Sequence, residues 1–369
     1  MQDKKMNILL LSHASLSTGF VVGSHHIAQN LSTSHNVKHV SSPVTLAHLL
    51  KGKVGRKKLL RSFFPKKPTG WIFTDYIPFV PFPYGYNSKL DSINNWFILV
   101  YFKLYSIPIH NDLVLIDQPL FASLLPKLTS KKIIYRPTDI YKLMGGDRFV
   151  DCEIKSIELA DAIIATSQEV LEALPLVSNN SKPTLVINNG VDYEFFANHS
   201  HVTRAGCVYV GAVDFRFDIE EVIVLATSSP SIRFDIYGPI SIDLTEFSIP
   251  NNLTFKGAVS YVELPSILAQ YTVGIIPMND HPSNDGRSPM KFYEYLAAGL
   301  IVIVRYRERF SAQQCRVIQL FNSDQEAVDL IEKANNEVEN FYLQECLAKA
   351  KEQSWSTKTQ RILDFSEGN

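Results

Sequence analysis

The chain has 369 residues, which is enough for two domains that each bury a hydrophobic core. Hydrophobic residues make up 46% of it and charged residues 20%, as in soluble globular proteins, and no apolar run approaches the length of a membrane-spanning helix. The four cysteines are scattered without metal-ligand spacing, so the composition favours a cytoplasmic protein with reduced thiols over a disulfide-stabilised or zinc-binding one.

Charge is distributed unevenly along the chain. Residues 1–110 carry a net charge of +10 and the remaining residues −11, and eight basic residues interleaved with leucine and phenylalanine lie within residues 51–70. This pattern suits contact with an anionic membrane surface. A solvated loop and a nucleic-acid contact are the alternatives, although no base-reading motif accompanies the basic residues. We therefore expect residues 51–67 to contact a membrane surface, with no nucleic acid as a partner.

Apolar runs alternate with helical patterns throughout the chain, which predicts an α/β protein with parallel sheets covered by helices on both faces. In the first half, we predict strands over Asn7–Ser12, Leu113–Asp117, Lys132–Tyr135 and Ala162–Thr166, and helices over Ile27–Leu31 and Cys152–Leu159. In the second half, we predict strands over Cys207–Val210, Arg233–Tyr237, Leu253–Lys256, Val273–Pro277 and Ile301–Val304, and a helix over Ile219–Ala226. Ligands of such sheets bind beyond the carboxyl ends of the strands.

The domain boundary is predicted near a turn signal in the middle of the chain. Asn189-Gly190 favours a tight turn, so we expect one domain over residues 1–187 and a second over residues 188–350. The last segment, residues 351–369, carries apolar residues at helical positions from Trp355 onward. We expect it to form a helix that crosses back to the first domain.

Residues 288–299 form the most informative motif. Ser288 suits a helix N-cap and Pro289 the first helical position, so the free amides at this helix start would attract phosphate. Lys291 lies in the first turn, where a positive charge is unfavourable beside the positive end of the helix dipole unless an anion also binds there. Glu294, three residues further on, lies on the same face of the helix as Lys291. The spacing alone allows either a site for a nucleotide diphosphate and its ribose or an ordinary capped helix with a surface ion pair.

Three segments together resemble a known family. Ser288–Val304 resembles the Lys-x-x-Glu-Tyr-Leu-Ala-Ala-Gly signature of two-domain (GT-B) nucleotide-sugar glycosyltransferases, especially family 4. Val186–Phe196 and Ala160–Ser167 resemble that family's Pro-Asn-Gly-Val-Asp and Ala-Asp segments, in the same order and at similar spacing. The run Tyr135–Asp139 is similar to the Tyr-Arg-x-x-Asp run of the xanthan β-glucuronosyltransferase group, and Tyr209–Ala212 also resembles that group.

The resemblance implies a GT-B fold, with two Rossmann-like domains facing a cleft, the first for the acceptor and the second for the nucleotide sugar. It implies that Asp139 is the general base for the acceptor hydroxyl, although the residue alone could equally cap the next short helix. Lys291 and the amides around Ser288 and Met290 would hold the diphosphate, and Glu294 would bind the ribose.

Further donor contacts are implied less directly. Arg216, in the loop after Gly211, is a second phosphate candidate, and a surface arginine is the alternative. The nucleotide base would rest against backbone near Tyr237 and Val259. The loop Ser17–Gly23 could approach donor or acceptor closely. His13, His25 and His26 are expected to be structural rather than catalytic.

One departure from the family pattern bears on the mechanism. Retaining members of family 4 often carry a second glutamate eight positions before the ribose-binding one, and Gly286 stands there in this chain. An inverting displacement follows by analogy. No Asp-x-Asp run follows a strand, so we expect no metal ion in the site. We also expect no cofactor, because the nucleotide sugar is a substrate. UDP is the default nucleotide of that substrate.

The expected acceptor is lipid-linked or a polysaccharide precursor at the cytosolic membrane face, with a diphosphate that suits the basic segment 51–67. A GT-B-fold sugar-nucleotide 2-epimerase and a non-catalytic nucleotide- or polyanion-binding protein remain alternatives. A Rossmann dehydrogenase is disfavoured, because no Gly-x-Gly-x-x-Gly follows the first strand.

Overall fold

The computed structural model describes residues 5–18, 21–175, 181–197, 204–336 and 340–368. The chain divides into two compact units, each built around its own parallel sheet. The first unit comprises residues 1–189, 286–288 and 355–369, and the second comprises residues 190–285 and 289–354. The boundary therefore falls within the predicted turn, between Asn189 and Gly190, rather than at residue 187.

The first unit contains a seven-stranded sheet in the order β3-β2-β1-β4-β5-β6-β7. Its strands are β1 (Asn7–Ser12), β2 (Asn36–Ser41), β3 (Asp75–Tyr76), β4 (His110–Ile116), β5 (Thr129–Tyr135), β6 (Ala162–Ala165) and β7 (Thr184–Val186). The helices that precede the domain boundary are α1 (Gly23–Leu31), α2 (Gly52–Phe63), α3 (Ser88–Leu104), α4 (Tyr141–Gly145), α5 (Asp147–Leu159) and α6 (Gln168–Glu172). Residues 8–11 and 113–116 are buried because β1 and β4 lie in the middle of a sheet covered on both faces.

The second unit contains a six-stranded parallel sheet in the order β10-β9-β8-β11-β12-β13. Its strands are β8 (Cys207–Val210), β9 (Phe234–Tyr237), β10 (Leu253–Gly257), β11 (Val273–Ile275), β12 (Ile301–Arg305) and β13 (Ile318–Phe321). Its helices are α7 (Tyr193–Ala197), α8 (Ile219–Ser228), α9 (Leu264–Leu268), α10 (Lys291–Ala297), α11 (Asp324–Asn336) and α12 (Asn340–Glu352). The two-sheet α/β architecture predicted from the alternating pattern is confirmed.

The last helix, α13 (Trp355–Glu367), belongs to the first unit although the chain before it belongs to the second. The Trp355 indole stacks on the His26 ring of α1, with ring centroids 5.4 Å apart and planes 8° from parallel. Gly23 makes room for it, since a Cβ atom there would lie 2.8 Å from the indole. The predicted return of the C-terminal helix to the first domain is confirmed, but the helix begins at Trp355 rather than at residue 351.

Helices α2 and α3 expose apolar side chains on the first unit. On α3, the exposed residues Ile93, Trp96, Val100 and Leu104 recur every three or four positions and so form one stripe. The end of this stripe adjoins α2, because the Tyr105 hydroxyl donates a 2.7 Å hydrogen bond to the Phe63 carbonyl. Across the described ranges, no helix combines the length and the apolar character needed to cross a bilayer.

The packing of α1 against α13 generates a prediction about pH. Burial lowers the pKa of the His26 imidazole from 6.5 to about 3, so the ring is neutral in the folded unit at neutral pH. The unfolded chain takes up a proton below about pH 6.5, so the stability that neutral His26 contributes is complete above that pH and is lost as the pH falls toward 3. We expect His26→Phe, which keeps a ring against Trp355, to reduce the slope of unfolding free energy against pH by about 1.4 kcal/mol per unit.

Denaturant unfolding followed by tryptophan fluorescence measures this slope at a series of pH values between roughly 4 and 6. All three tryptophans of the chain, Trp71, Trp96 and Trp355, lie in the first unit, so the signal reports on that unit. His110→Phe, at an exposed position, is the matched control and should keep the wild-type slope. A wild-type slope in His26→Phe would show that the His26 proton is not linked to folding.

Candidate active-site residues

The carboxyl ends of three strands bring four polar residues to one edge of the first sheet. His13 follows β1, Asp117 follows β4, and Arg136 and Asp139 follow β5. Carboxyl ends of parallel strands meet at the same edge, which is where ligands of α/β sheets bind. The sequence pointed to Asp139 as the catalytic residue at this edge and to a structural role for His13, whereas Asp117 and Arg136 had no assigned role.

Asp117 and Arg136 form a fully buried ion pair with an Nη1–Oδ2 distance of 2.5 Å. Burial raises the pKa of Asp117, and the charge of Arg136 opposes that rise. The second carboxylate oxygen of Asp117 and the Nε atom of Arg136 have no hydrogen-bond partner among the described residues. At this edge of the sheet, a buried acceptor on Asp117 and a buried donor on Arg136 can therefore still form hydrogen bonds.

Asp139 is half-buried and accepts a 3.0 Å hydrogen bond from the Thr138 hydroxyl. Tyr141 anchors the segment, because its hydroxyl donates to the Asp117 carbonyl oxygen at 2.5 Å. Ile140, not Asp139, occupies the N-cap position of α4, and no side chain caps that helix. The structure therefore does not support helix capping as the role of Asp139.

His13 is the residue at this edge that sequence reasoning assigned to a structural role. Burial lowers the pKa of its imidazole, and the carboxylates of Asp139 and Asp117 partly offset that effect. The ring is therefore neutral at neutral pH, and its buried Nδ1 atom has no hydrogen-bond partner among the described residues. The only available sequence signal was its place directly after the first buried strand.

A second polar cluster surrounds Asp75 on the edge strand β3. Its carboxylate accepts hydrogen bonds from the Ser15 hydroxyl at 2.7 Å, the Leu16 amide at 3.1 Å, the Ser41 hydroxyl at 2.5 Å and His39 Nδ1 at 3.0 Å. Burial alone would raise the pKa of Asp75, but the hydrogen bonds from His39 and Ser41 outweigh it and lower that pKa. This ionised carboxylate holds the loop after β1 against the edge of the sheet.

In the second unit, glycine backbones meet at the carboxyl edge of the sheet. Gly211 directly follows β8 and its amide donates to the Tyr237 carbonyl at 2.8 Å, while the Gly238 amide donates to the Gly257 carbonyl at 2.8 Å. A Cβ atom on Gly238 would lie 1.8 Å from the carbonyl oxygen of Gly211. Only glycine fits there, so this edge presents backbone that a ligand can approach closely.

Helix α10 begins at Lys291 with Met290 in the N-cap position, whereas the sequence predicted Ser288 as the N-cap and Pro289 as the first helical residue. The Ser288 hydroxyl accepts a 3.0 Å hydrogen bond from the Asn189 amide instead of from a helix amide. The Ser288 carbonyl also accepts from the Asn189 side chain at 2.8 Å. Because Ser288 is committed to Asn189, it does not cap the helix, and that part of the prediction is wrong.

Lys291, Glu294 and Gly211 lie together. The Lys291 Cε atom is 2.6 Å from the position that a Cβ on Gly211 would occupy, and its ammonium lies 5.6 Å from the centroid of the Tyr209 ring. Glu294 is buried one turn further on; burial raises its pKa and Lys291 opposes that rise. The Tyr295 hydroxyl accepts a 2.9 Å hydrogen bond from the Val210 amide, which ties α10 to the end of β8.

The remaining donor candidates have local partners. Arg216 forms a two-point ion pair with Asp214, at 3.0 Å through Nε and 2.5 Å through Nη2, which favours the structural interpretation of this arginine. The Tyr237 hydroxyl lies 3.2 Å from that of Tyr271. Tyr237 and Val259 are half-buried and pack against the apolar cluster that contains the buried residues of α10.

Within the described ranges, no three His, Cys, Asp or Glu side chains group as metal ligands. The expectation of a reaction without metal or cofactor stays a prediction.

No protein-family model matches the chain. A segment of 165 residues is 25% identical to TuaH of Bacillus subtilis strain 168, a protein named as a glycosyltransferase of teichuronic acid biosynthesis. That segment spans 41% of this chain and 42% of TuaH, so less than half of either protein is matched.

Solved structures match the chain over nearly its whole length. HepE of Anabaena, in complex with UDP and glucose, has a TM-score of 0.65 at 14% identity over 99% of this chain and all of its own. A glycosyltransferase of Rickettsia africae has a TM-score of 0.65 at 15% identity, covering 99% and 98% of the two chains. Sucrose-phosphate synthase of Thermosynechococcus elongatus has a TM-score of 0.66 at 12% identity and 99% coverage of both. The likeness shows that this chain has the two-domain GT-B fold of glycosyltransferase structures.

Proposed function

We propose that this protein is a glycosyltransferase that moves a sugar from a nucleotide diphosphate, by default UDP, to a lipid-linked or polysaccharide-precursor acceptor. The observation that carries the proposal is the convergence of Lys291, Glu294 and Gly211 at the carboxyl edge of the second sheet. The fold, the UDP bound to HepE and the partial similarity to TuaH support it.

The second unit would hold the donor. The Lys291 ammonium would stabilise the charge that develops on the departing diphosphate, and the bare backbone of Gly211 would let the phosphates approach. Buried Glu294 would accept hydrogen bonds from the ribose hydroxyls. These hydrogen bonds favour the ionised carboxylate, so donor binding would counter the effect of burial on Glu294.

The first unit would supply the general base. Asp139 makes no ion pair among the described residues, and its one hydrogen bond comes from a neutral hydroxyl. Such a carboxylate can take the proton of an acceptor hydroxyl as that oxygen attacks the anomeric carbon. Gly286, in place of a second glutamate, supports an inverting displacement of the kind implied by the resemblance to the xanthan β-glucuronosyltransferase group.

The base assignment predicts the effect of Asp139→Asn. The amide keeps the shape of the side chain but cannot take a proton, so kcat should fall by about 10²- to 10⁴-fold while the affinity for the donor changes little. Release of nucleoside diphosphate from a panel of nucleotide sugars, with a bacterial lipid extract as acceptor, measures the turnover. Asp151→Asn, at an exposed position of α5 in the same unit, is the matched control and should retain full activity.

Full activity in Asp139→Asn would refute the assignment of the base. Epimerisation of the donor without any acceptor would identify a 2-epimerase instead. Donor binding without turnover of any nucleotide sugar would favour the non-catalytic alternative.

The donor assignment predicts a nucleotide-binding defect in Lys291→Ala. We expect UDP to raise the melting temperature of the wild-type protein, since a ligand bound only to the folded state stabilises it by mass action. Loss of one charge-assisted contact should weaken UDP at least about tenfold in an isothermal titration. Lys351→Ala, at an exposed position of α12 in the same unit, should bind UDP as the wild type does. Equal affinities in the two variants would exclude Lys291 as a phosphate ligand.

We also propose that residues 51–67 hold the protein at an anionic membrane, on the cytosolic face. Lys53, Arg56 and Lys67 are exposed, and Leu60 and Phe64 beside them are 63% and 73% exposed. Basic residues next to exposed apolar ones are attracted to anionic headgroups while the apolar side chains enter the interface. The exposed stripe on α3 would extend this contact.

The membrane proposal predicts the behaviour of Lys53→Gln/Arg56→Gln/Lys67→Gln. At about 1 kcal/mol per basic residue, the triple variant should lose roughly 10²-fold in affinity for phosphatidylglycerol-containing vesicles, with a smaller loss at high salt. Sedimentation with the vesicles measures this. The matched control, Lys333→Gln/Lys349→Gln/Lys351→Gln, removes the same charge from two exposed positions and one half-buried position of α11 and α12, and it should sediment like the wild type. Equal sedimentation of both triple variants would rule out the segment as a membrane contact.

A further inference from the structure

The segment that carries Asp139 is fixed on its N-terminal side by the end of the neighbouring strand. Thr166, which directly follows β6 and is fully buried, donates a 3.0 Å hydrogen bond from its hydroxyl to the Thr138 carbonyl. Its amide donates to the Pro137 carbonyl at 3.2 Å. The backbone that leads into Asp139 is therefore tied to β6.

On the C-terminal side of Asp139, Ile140 packs against a short stretch from much later in the chain. Residues 286–288 belong to the first unit, although the chain on both sides of them belongs to the second. Gly286 is buried, and a Cβ atom there would lie 2.7 Å from Ile140 Cγ1, 2.9 Å from Ile140 Cδ1 and 3.1 Å from Val170 Cγ2. The bare backbone of Gly286 is thus packed directly against the residue that follows the proposed base.

Hydrogen bonds from the first unit hold residues 286–288 in this place. The Ser167 hydroxyl, which also caps α6, donates to the Gly286 carbonyl at 3.2 Å. At the other end of the stretch, Asn189 binds Ser288 through the two hydrogen bonds described above. Because Thr166 and Ser167 are consecutive, one turn after β6 holds the backbone before Asp139 and also the glycine that packs after it.

The backbone conformation of Gly286 does not itself require a glycine. Its φ angle lies outside the left-handed region, so an alanine can adopt the same conformation. The effect of an added methyl group therefore comes from its contact with Ile140, which is too short to exist unless Ile140 moves. Isoleucine is β-branched and stiff at χ1, so this movement reaches the backbone beside Asp139.

We propose that Gly286 is a positioning residue for the general base. It leaves the space in which the Ile140 side chain lies, and Ile140 in turn fixes the backbone that carries Asp139. The inference rests on the proposed function, because it takes Asp139 as the group that removes the proton. It gives a role to the position at which retaining members of family 4 often carry a glutamate, and that role serves the base and not the donor.

Gly286→Ala tests this role in two backgrounds. A misplacement of about 1 Å can cost about 10²-fold in rate, so kcat for release of nucleoside diphosphate should fall about 10- to 100-fold, while UDP affinity in an isothermal titration changes less than about twofold. In the Asp139→Asn background, the same substitution should change the residual turnover less than about twofold, because no base is left to misplace. A fall by the same factor in both backgrounds would overturn the proposal.

Ile140→Ala is a second variant that removes the contact without adding a methyl group. It should lower kcat in the wild-type background and leave the residual turnover of Asp139→Asn unchanged. In Gly286→Ala/Ile140→Ala the new methyl group enters the space vacated by Ile140, so kcat should exceed that of either single variant. Losses that simply multiply would show that the two residues do not act through their contact. If Gly286→Ala does not fold, Ile140→Ala in the two backgrounds decides the proposal.

Gly70→Asn is the matched control for adding a side chain to a glycine of the first unit. Gly70 is exposed, no atom beyond its chain neighbours lies within 4 Å of its Cβ position among the described residues, and asparagine tolerates its positive φ. This variant should keep the wild-type kcat. Full activity in Asp139→Asn alone would refute the base assignment itself, whereas an equal effect of Gly286→Ala in the two backgrounds would refute only the positioning role.

Discussion

The buried ion pair between Asp117 and Arg136 is the interaction on which the carboxyl edge of the first sheet depends. Removing both charges from water costs several kcal/mol per ion, and their short contact offsets part of that cost. Neither residue can be replaced alone without leaving an uncompensated charge in the core. Arg136 begins the segment that leads to Asp139, and the carbonyl of Asp117 anchors Tyr141 on its far side. The position of the proposed base therefore follows from a pair that lies beneath it.

The carboxyl edge of the second sheet is built from different groups. Strands β8, β9 and β10 end in or are followed by glycines, and the close approach of Gly211 and Gly238 leaves no space for a side chain on Gly238. One helix, held to β8 through Tyr295, then adds the cation and the carboxylate. A preorganised backbone with few side chains suits a diphosphate, which needs close approach and fixed charge. The carboxylate that we propose as the general base, Asp139, lies in the first unit instead.

Sequence patterns predicted elements that are defined by local periodicity and missed those defined by contacts. The buried apolar runs predicted the central strands to within a few residues, whereas β3 has only two residues and carries no pattern. Ser288 has the composition of an N-cap, but its hydroxyl accepts from Asn189, a residue 99 positions away. The cluster around Asp75 draws on segments up to 60 residues apart, so no local motif could reveal it. Asp139 was found because its neighbours in sequence, not its contacts, resemble a known group.

The cluster around Asp75 also gives the two-residue strand β3 a structural role. Its carboxylate ties the loop after β1 to the edge strand through the Ser15 hydroxyl and the Leu16 amide, and His13, at the start of that loop, interacts electrostatically with Asp139. One loop of a few residues thus connects the edge strand to the carboxyl edge where Asp139 lies. Since hydrogen bonds to an ionised carboxylate are stronger than neutral ones, the loop is fixed before any ligand arrives.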